Sequence, residues 1–123
     1  MATSTLSPTK HMGGGFLFET TAPDDVFTPE DFTAEHRAIA KTTEDFWTKE
    51  IAPNLDGIQH QEPGLAVSIL RKSGQLGLTG VVVPEKFGGM EMDLVSAMVV
   101  AECLSKDGSY SAWHGAQTGI GAL

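Results

Sequence analysis

The chain has 123 residues, which suffices for at most one domain, and 41% of them are hydrophobic, an ordinary fraction that argues against wholesale disorder. Its formal net charge of −8 argues against a nucleic-acid backbone or an anionic membrane as the main partner. No apolar run approaches the roughly 20 residues that span a bilayer, and the first residues do not form a secretory signal. We therefore expect a soluble domain of the cytoplasm.

The first third of the chain combines a tail with two helix starts. Residues 1–15 are rich in Ser, Thr and Gly and predict a flexible N-terminal tail ahead of a domain over residues 16–123. Thr28-Pro29-Glu30-Asp31 has the order of a helix start, with a Thr cap, a Pro at the first helical position and acids at the positive end of the dipole. A second start at Thr33 predicts a longer helix over about residues 34–52, ended by Pro53.

The middle of the chain predicts a loop, a helix and a buried turn. Residues 54–62 are polar and indicate a loop, and the apolar spacing over residues 64–76 predicts the next helix. Gly77 then offers a positive-φ exit from that helix. The trio Val81 to Val83 predicts a short buried extended run, and Gly88-Gly89 predicts a chain reversal.

Two largely apolar or small-residue helices are predicted after this turn. The first covers about residues 93–106, is capped by Asp93 and is apolar nearly all the way round, so we expect it to be buried on every side. The second covers residues 110–123, with Ser109 as its cap, and it is rich in Gly and Ala. Its Gly115-x-x-x-Gly119 spacing places two glycines on one face, where a neighbouring helix or an elongated ligand can approach the backbone. Spacing alone favours helix packing.

No catalytic or metal-binding constellation is present in the sequence. The four histidines are scattered, at His11, His36, His60 and His114. None pairs with Cys, Asp or Glu at metal-ligand spacing, and no P-loop or nucleophile elbow occurs. Cys103 is the one cysteine, and we expect an inert core thiol. From the residues alone we predict a core, with no catalytic, cofactor-binding or metal-binding residue.

Four segments in order carry a family resemblance. Residues 77–89 read GLTGVVVPEKFGG and precede the helix that begins at Asp93. Together with residues 27–32 (FTPEDF) and 114–121 (HGAQTGIG), they resemble the N-terminal domain of the flavin-dependent acyl-CoA dehydrogenases, in their longer-chain bacterial and mitochondrial branch. The resemblance covers residues 14–123 and implies an all-α fold, an up-and-down or orthogonal helical bundle that is incomplete here.

The resemblance also implies a function that this chain does not complete by itself. In that family FAD is held mainly by a middle β-domain, and in most members a glutamate from the C-terminal part removes the α-proton of an acyl-CoA thioester before hydride passes to the flavin. Neither part is matched here, so we expect FAD in a parent enzyme of fatty-acid β-oxidation and no cofactor or catalysis with this chain alone. The implied partners are the acyl-CoA substrate and the remaining domains of the parent.

The resemblance implies a binding role for the last helix. Ala112, Gly115, Ala116 and Gly119 match the helix that lines the deep end of the acyl-chain pocket, and their small side chains suit long acyl groups.

In isolation the apolar face of the domain would be exposed, so we expect self-association. Two alternatives stay open: a stand-alone helical interaction module without catalysis, and the same domain from an acyl-CoA oxidase-like flavoenzyme.

Overall fold

The structure is a computed structural model that describes Lys10 and residues 13–121, and it divides the chain into two units, residues 1–34 and 35–123. Regular structure in the described residues is helical, which confirms the all-α prediction. The tail predicted over residues 1–15 lies mostly outside the described residues. None of the described helices is long and apolar enough to cross a membrane.

The first unit contains short helical turns of the 3-10 type, at Gly15–Leu17, Pro23–Asp25 and Pro29–Asp31. The start predicted at Thr28 is confirmed: its backbone N–H donates to Asp31 Oδ2 at 2.9 Å, and the two residues form a reciprocal capping box. Lys10 Nζ binds the same carboxylate at 2.5 Å. Only one turn forms, because the backbone of Phe32 is extended, with ψ of 132°.

The second unit is built from α-helices. Their bounds are α1 Ala34–Phe46, α2 Leu55–Gln59, α3 Leu65–Gln75, α4 Leu94–Leu104 and α5 Gly108–Gly115. Turns of π-helix extend α1 over Trp47–Ile51 and α5 over Ala116–Ile120. Helix α5 contacts α2, α3 and α4, so it occupies the centre of this unit.

The first helix ends with its π turn at Ile51, just before Pro53 as predicted, but the prediction of a loop over residues 54–62 was wrong, since α2 occupies Leu55–Gln59. The chain continues through a 3-10 turn at Ala52–Asn54 directly into α2. Pro53 lies at the start of a new helical turn, where the N–H that proline lacks has no intrahelical partner to lose. Asn54 Nδ2 also donates to the carbonyl of Glu50 at 2.8 Å and holds the junction together.

In the turn after α3, the conformations predicted for the glycines are confirmed, whereas the prediction for the three valines is not. Gly77 and Gly88 have φ of 80° and 84°, which confirms the positive-φ exit and the reversal. The prediction of a short buried extended run was wrong, since residues 81–83 form turns and a bend, and Val81 is buried but Val82 is 43% exposed. Turns place successive side chains in different directions here, and backbone bonds to residues 90–92, such as Met92 N–H to the Val81 carbonyl at 2.8 Å, hold the segment.

The caps of the last two helices were predicted with mixed success. Asp93 caps α4 as predicted, accepting the Ser96 backbone N–H at 2.8 Å. Ser109 is not the cap of α5; that helix begins one residue after Asp107, whose carboxylate accepts the Tyr110 N–H at 2.9 Å. A carboxylate is a charged acceptor at the positive end of the helix, so it caps better than a hydroxyl placed inside the first turn.

Burial is complete on one side of the second unit and incomplete on the other. The side chains with at most 5% exposure that form the core are Ile39, Phe46, Ile51, Ile58, Ile69, Leu78, Val81, Val99, Val100, Leu104 and Tyr110. By contrast, Leu94 and Met98 on α4 are 75% and 70% exposed, so the prediction that this helix is buried all round was wrong for this chain. Within the described residues, α4 is covered along one face only.

Candidate functional site

A cavity of roughly 310 Å³ lies within the second unit, between the turn that follows α3, helix α4 and the helix formed by α5 and its π turn. Its walls are mainly apolar and come from Leu78, Thr79, Val81, Val82, Val83, Leu94, Ala97, Val100, Ala101, Leu104, Ser111, His114, Gly115, Thr118 and Gly119. This volume is at the lower end of the range found for small-molecule pockets. An apolar cavity of this size suits a hydrocarbon group.

Two helical glycines leave one wall of the cavity open. A Cβ atom built at Gly115 or at Gly119 would meet no heavy atom within 4 Å beyond its own helix. Gly115 has φ of −63° and ψ of −38°, an ordinary helical conformation that any residue adopts. Neither crowding nor backbone strain therefore requires glycine here, although each glycine disfavours a helix by about 1 kcal/mol relative to alanine.

The four residues predicted for the acyl-chain wall divide into two pairs. Gly115 and Gly119 line the cavity, whereas Ala112 and Ala116 are exposed and are not among its lining residues. Residues four apart lie on one side of a helix, so each pair forms its own strip, and the two strips are neighbours on the helix surface. The structure thus brings the glycine pair to the cavity and leaves the alanine pair beside it.

His114 is the cavity residue that the sequence analysis did not single out. The side chain is only 5% exposed, and its Nδ1 has no hydrogen-bond partner of acceptable geometry. Burial lowers the pKa of His114, and the neighbouring backbone of Leu78 acts in the opposite direction. Its ring lies 6.1 Å from that of Tyr110, one helical turn earlier. The four-residue spacing of two polar aromatic side chains on one helix face was the sequence signal that could have pointed to His114.

Hidden hydroxyl groups lie behind the same helix. Ser73 Oγ and Tyr110 Oη are buried, and neither has a hydrogen bond of acceptable geometry. Burial raises the pKa of Tyr110, while the neighbouring Ser73 hydroxyl acts in the opposite direction. Because these oxygens and His114 Nδ1 are inaccessible, they cannot act on a molecule that fills the cavity. The arrangement is suited to binding.

Cys103 on α4 is a thiol that stays protonated. Burial, followed by the Glu44 carboxylate, raises its pKa to about 11. The Sγ atom lies 3.9 Å from the carbonyl oxygen of Ala40 on α1, and the side chain is half-buried. Since the thiolate is the reactive form, the raised pKa agrees with the prediction of an inert thiol, whereas the predicted core position was wrong because the side chain is half-buried.

The cavity does not fit FAD. A dinucleotide cofactor has a diphosphate that needs several N–H or cationic donors, whereas the polar lining groups here are the hydroxyls of Thr79, Ser111 and Thr118 and the buried ring of His114. The cavity volume is also that of a small ligand. Among the residues that the structure describes, no group of three His, Cys, Asp or Glu side chains could hold a metal ion.

Comparison with known proteins matches this chain to one family. The model of the acyl-CoA dehydrogenase N-terminal domain matches residues 33–123. A probable acyl-CoA dehydrogenase of Bacillus subtilis (strain 168) is 46% identical over 111 residues, which are 90% of this chain and 19% of that protein. A second probable acyl-CoA dehydrogenase from the same strain, YngJ, is 32% identical over 93 residues, which are 75% of this chain and 24% of that protein.

The fold is matched by a solved structure of the same family. The crystal structure of an acyl-CoA dehydrogenase complexed with FAD from Bacillus anthracis has a TM-score of 0.78 and 46% sequence identity, over 85% of this chain and 18% of that chain. This chain therefore spans about a fifth of the length of the relatives that it matches. It belongs to the acyl-CoA dehydrogenase family, as an N-terminal helical domain.

Proposed function

We propose that this chain is the substrate-pocket domain of a flavin-dependent acyl-CoA dehydrogenase, which introduces an α,β double bond into long-chain acyl-CoA during fatty-acid β-oxidation in the cytoplasm. Membership of the family and a structural neighbour that is complexed with FAD support the reaction class. The second unit supplies an apolar wall for the acyl chain. The flavin and the catalytic base would come from other parts of the parent enzyme, as the family resemblance implies.

The observation that carries this proposal is the open wall at Gly115 and Gly119. Both glycines disfavour the helix, and neither is needed for packing or for the backbone conformation. The space that they leave adjoins a mainly apolar cavity of roughly 310 Å³. An alkyl chain gains free energy from such a cavity by burying its methylene groups, at about 0.8 kcal/mol for each.

The two strips on this helix would contribute in different ways. The glycine pair forms the inner wall of the site, because it lines the cavity directly. Ala112 and Ala116 lie exposed on the neighbouring strip and form an outer wall beside the cavity. Small side chains on both strips keep the site long, which favours long acyl groups over short ones.

Substitution of Ala116 by Glu tests the outer wall. In the complete enzyme, a carboxylate on this exposed strip would shorten the site and disfavour an apolar chain beside it. We expect kcat/KM for long acyl-CoA thioesters to fall about tenfold more than for short ones. The profile is measured over straight-chain thioesters of increasing length. An unchanged profile would remove Ala116 from the acyl site.

The visible absorption spectrum and native mass of the protein, purified from its source without refolding, test the proposed function itself. We expect flavin absorbance on a species several times the mass of this chain. A colourless, monodisperse species with the mass of the chain alone would contradict the proposal. That result would favour the second candidate, a helical interaction module.

The exposed apolar side chains are the observation that supports this second candidate. Leu94, Met98 and Ile120 are between 70% and 79% exposed, as is Phe87 in the turn before α4. Large exposed apolar groups of this kind mark surfaces that pack against a partner. The same native mass measurement detects self-association through these side chains, which would appear as a colourless oligomer of the chain.

A further inference from the structure

The N-terminus of α4 is held by a buried side chain from a distant part of the sequence. His36 on α1 is 2% exposed, and its Nε2 lies 2.9 Å and 3.1 Å from the two carboxylate oxygens of Asp93. Because a carboxylate only accepts, Nε2 carries the hydrogen and donates it. The bond joins residues 57 positions apart and ties the first α-helix to the residue that caps the fourth.

Asp93 is a junction of several hydrogen bonds. Its Oδ1 accepts the backbone N–H and the hydroxyl of Ser96, both at 2.8 Å, and Ser96 is itself 1% exposed. Burial would raise the pKa of Asp93, but the bonds from the Ser96 backbone and from His36 outweigh it and lower the pKa. The carboxylate thus stays charged at the positive end of α4.

This junction lies where two walls of the cavity meet. Immediately before Asp93, the N–H of Met92 donates to the carbonyl of Val81 at 2.8 Å, which fixes the chain against the cavity wall formed by the turn after α3. Immediately after it, Leu94 and Ala97 begin the wall that α4 supplies. The distance between the walls therefore depends on where α4 begins, and that point is fixed by the Asp93 carboxylate.

Capping alone does not require the histidine. The Asp93 carboxylate satisfies the N–H of Ser96 by itself, as an aspartate cap does at an ordinary helix. His36 adds a bond to a carboxylate from a side chain held rigidly within the core, which orients the cap relative to α1. A hydrogen bond to a charged group is among the stronger ones in a folded protein.

We propose that His36 is a positioning residue for the cavity: its Nε2–H bond to Asp93 sets the place of the α4 N-terminus and hence the width of the cavity. The inference rests on the proposed function only in taking an acyl chain as the ligand of the cavity; the positioning of α4 by His36 does not depend on it. The bond acts through Asp93, and His36 itself does not line the cavity. The residues concerned belong to one unit of the structure.

The test compares two substitutions of His36 in the 123-residue chain. Gln keeps an N–H donor near the position of Nε2, whereas Leu fills the space without a donor. We expect amide hydrogen exchange at Ser96 and Ala97 to accelerate about tenfold or more in His36→Leu and less than about threefold in His36→Gln, with the α3 amides unchanged in both. Xenon enters apolar cavities and should shift the methyl resonances of Val81 and Val100 in the unsubstituted chain. We expect the same shifts in His36→Gln and different shifts in His36→Leu.

Two outcomes would overturn the inference. One is equal exchange in the Gln and Leu variants, because the donor would then be irrelevant. The other is an equal acceleration of exchange in α1, α3 and α4 of His36→Leu, which would indicate a loss of overall stability alone. These readouts involve no acyl-CoA, so they stand or fall separately from the proposed function.

A second variant keeps the test decisive if His36→Leu does not fold. Asp93→Asn retains an oxygen that can cap α4 but weakens the bond to His36 by removing the charge. Asp56→Asn is the matched control, because the Asp56 side chain is 94% exposed. We expect faster exchange at Ser96 in Asp93→Asn only. If the two Asn variants give the same exchange, the inference is wrong.

Discussion

The two sides of α5 differ in how completely they are covered. On one side, Tyr110 is fully buried, with its ring centroid 6.2 Å from that of Phe46 on α1, and α3 completes the packing. On the other side, Gly115 and Gly119 border a cavity, and Met98 of the neighbouring helix is 70% exposed. One helix thus carries a stabilising face and an open face, and the open face is the one available to a ligand.

The largest expected effect comes from the closed side. Ile69 on α3 is 1% exposed, so Ile69→Ala removes buried methyl and methylene groups and should lower the free energy of unfolding by about 2–5 kcal/mol. Met98→Ala is the matched substitution on the open side and should change it by less than about 0.5 kcal/mol. Urea denaturation of both variants measures the difference. Equal losses would show that the open side is packed in solution.

A smaller effect should appear in acid, through His114. Its folded pKa is lowered, so below the ordinary value of about 6.5 the unfolded chain binds more protons than the folded one. Stability from this group is complete above about pH 6.5 and is lost as the pH falls from there through the folded pKa, at no more than about 1.4 kcal/mol per pH unit.

The control for this acid effect is His114→Phe, which cannot titrate. As the pH is lowered from 7 to 5, we expect the free energy of unfolding of His114→Phe to fall less steeply than that of the unsubstituted chain. Urea denaturation across this range measures both slopes. Parallel pH profiles would mean that the His114 ring is protonated as readily in the folded chain as in the unfolded one.

The smallest effect is a gain in stability at the open wall. Gly115→Ala adds a Cβ atom that meets nothing within 4 Å in a helical backbone, and should raise the free energy of unfolding by about 0.5–1 kcal/mol. Gly89→Ala is the contrasting change, because its Cβ atom would lie 2.0 Å from the carbonyl oxygen of Val83. That variant should lose stability. A loss in Gly115→Ala would indicate that the wall is already filled.

The fold was predictable where a local pattern decides the structure. The caps at Thr28 and Asp93 and the positive φ of Gly77 follow from side-chain chemistry within a few residues, and all were predicted correctly. The helix after Pro53 was missed because a proline both ends one helix and begins another, and its neighbours do not distinguish these roles. The cap of α5 was assigned two residues late for a similar reason, since Ser109 and Asp107 are both good cap residues.

The candidate site was only partly predictable. Small residues spaced by four mark a helix face that something approaches, but the division of Ala112, Gly115, Ala116 and Gly119 into two strips depends on which side α4 covers. That is a tertiary property. The same holds for His36, since nothing near it in the sequence indicates a partner 57 residues away. The family resemblance pointed to the last helix, and the structure added the cavity, its volume and the role of the glycines in its wall.

The most direct test of the open face is to fill it. Gly119→Leu projects a side chain into the cavity wall, and Gly108→Leu is the matched control, because Gly108 is also helical, also has open space around its Cβ position, and does not line the cavity. The measurement is kcat/KM of the complete enzyme over acyl-CoA thioesters of increasing length. We predict that Gly119→Leu loses about tenfold or more on the longest thioesters relative to the shortest, with Gly108→Leu unchanged. Identical profiles for the two variants would contradict an acyl-chain site at the open face of α5.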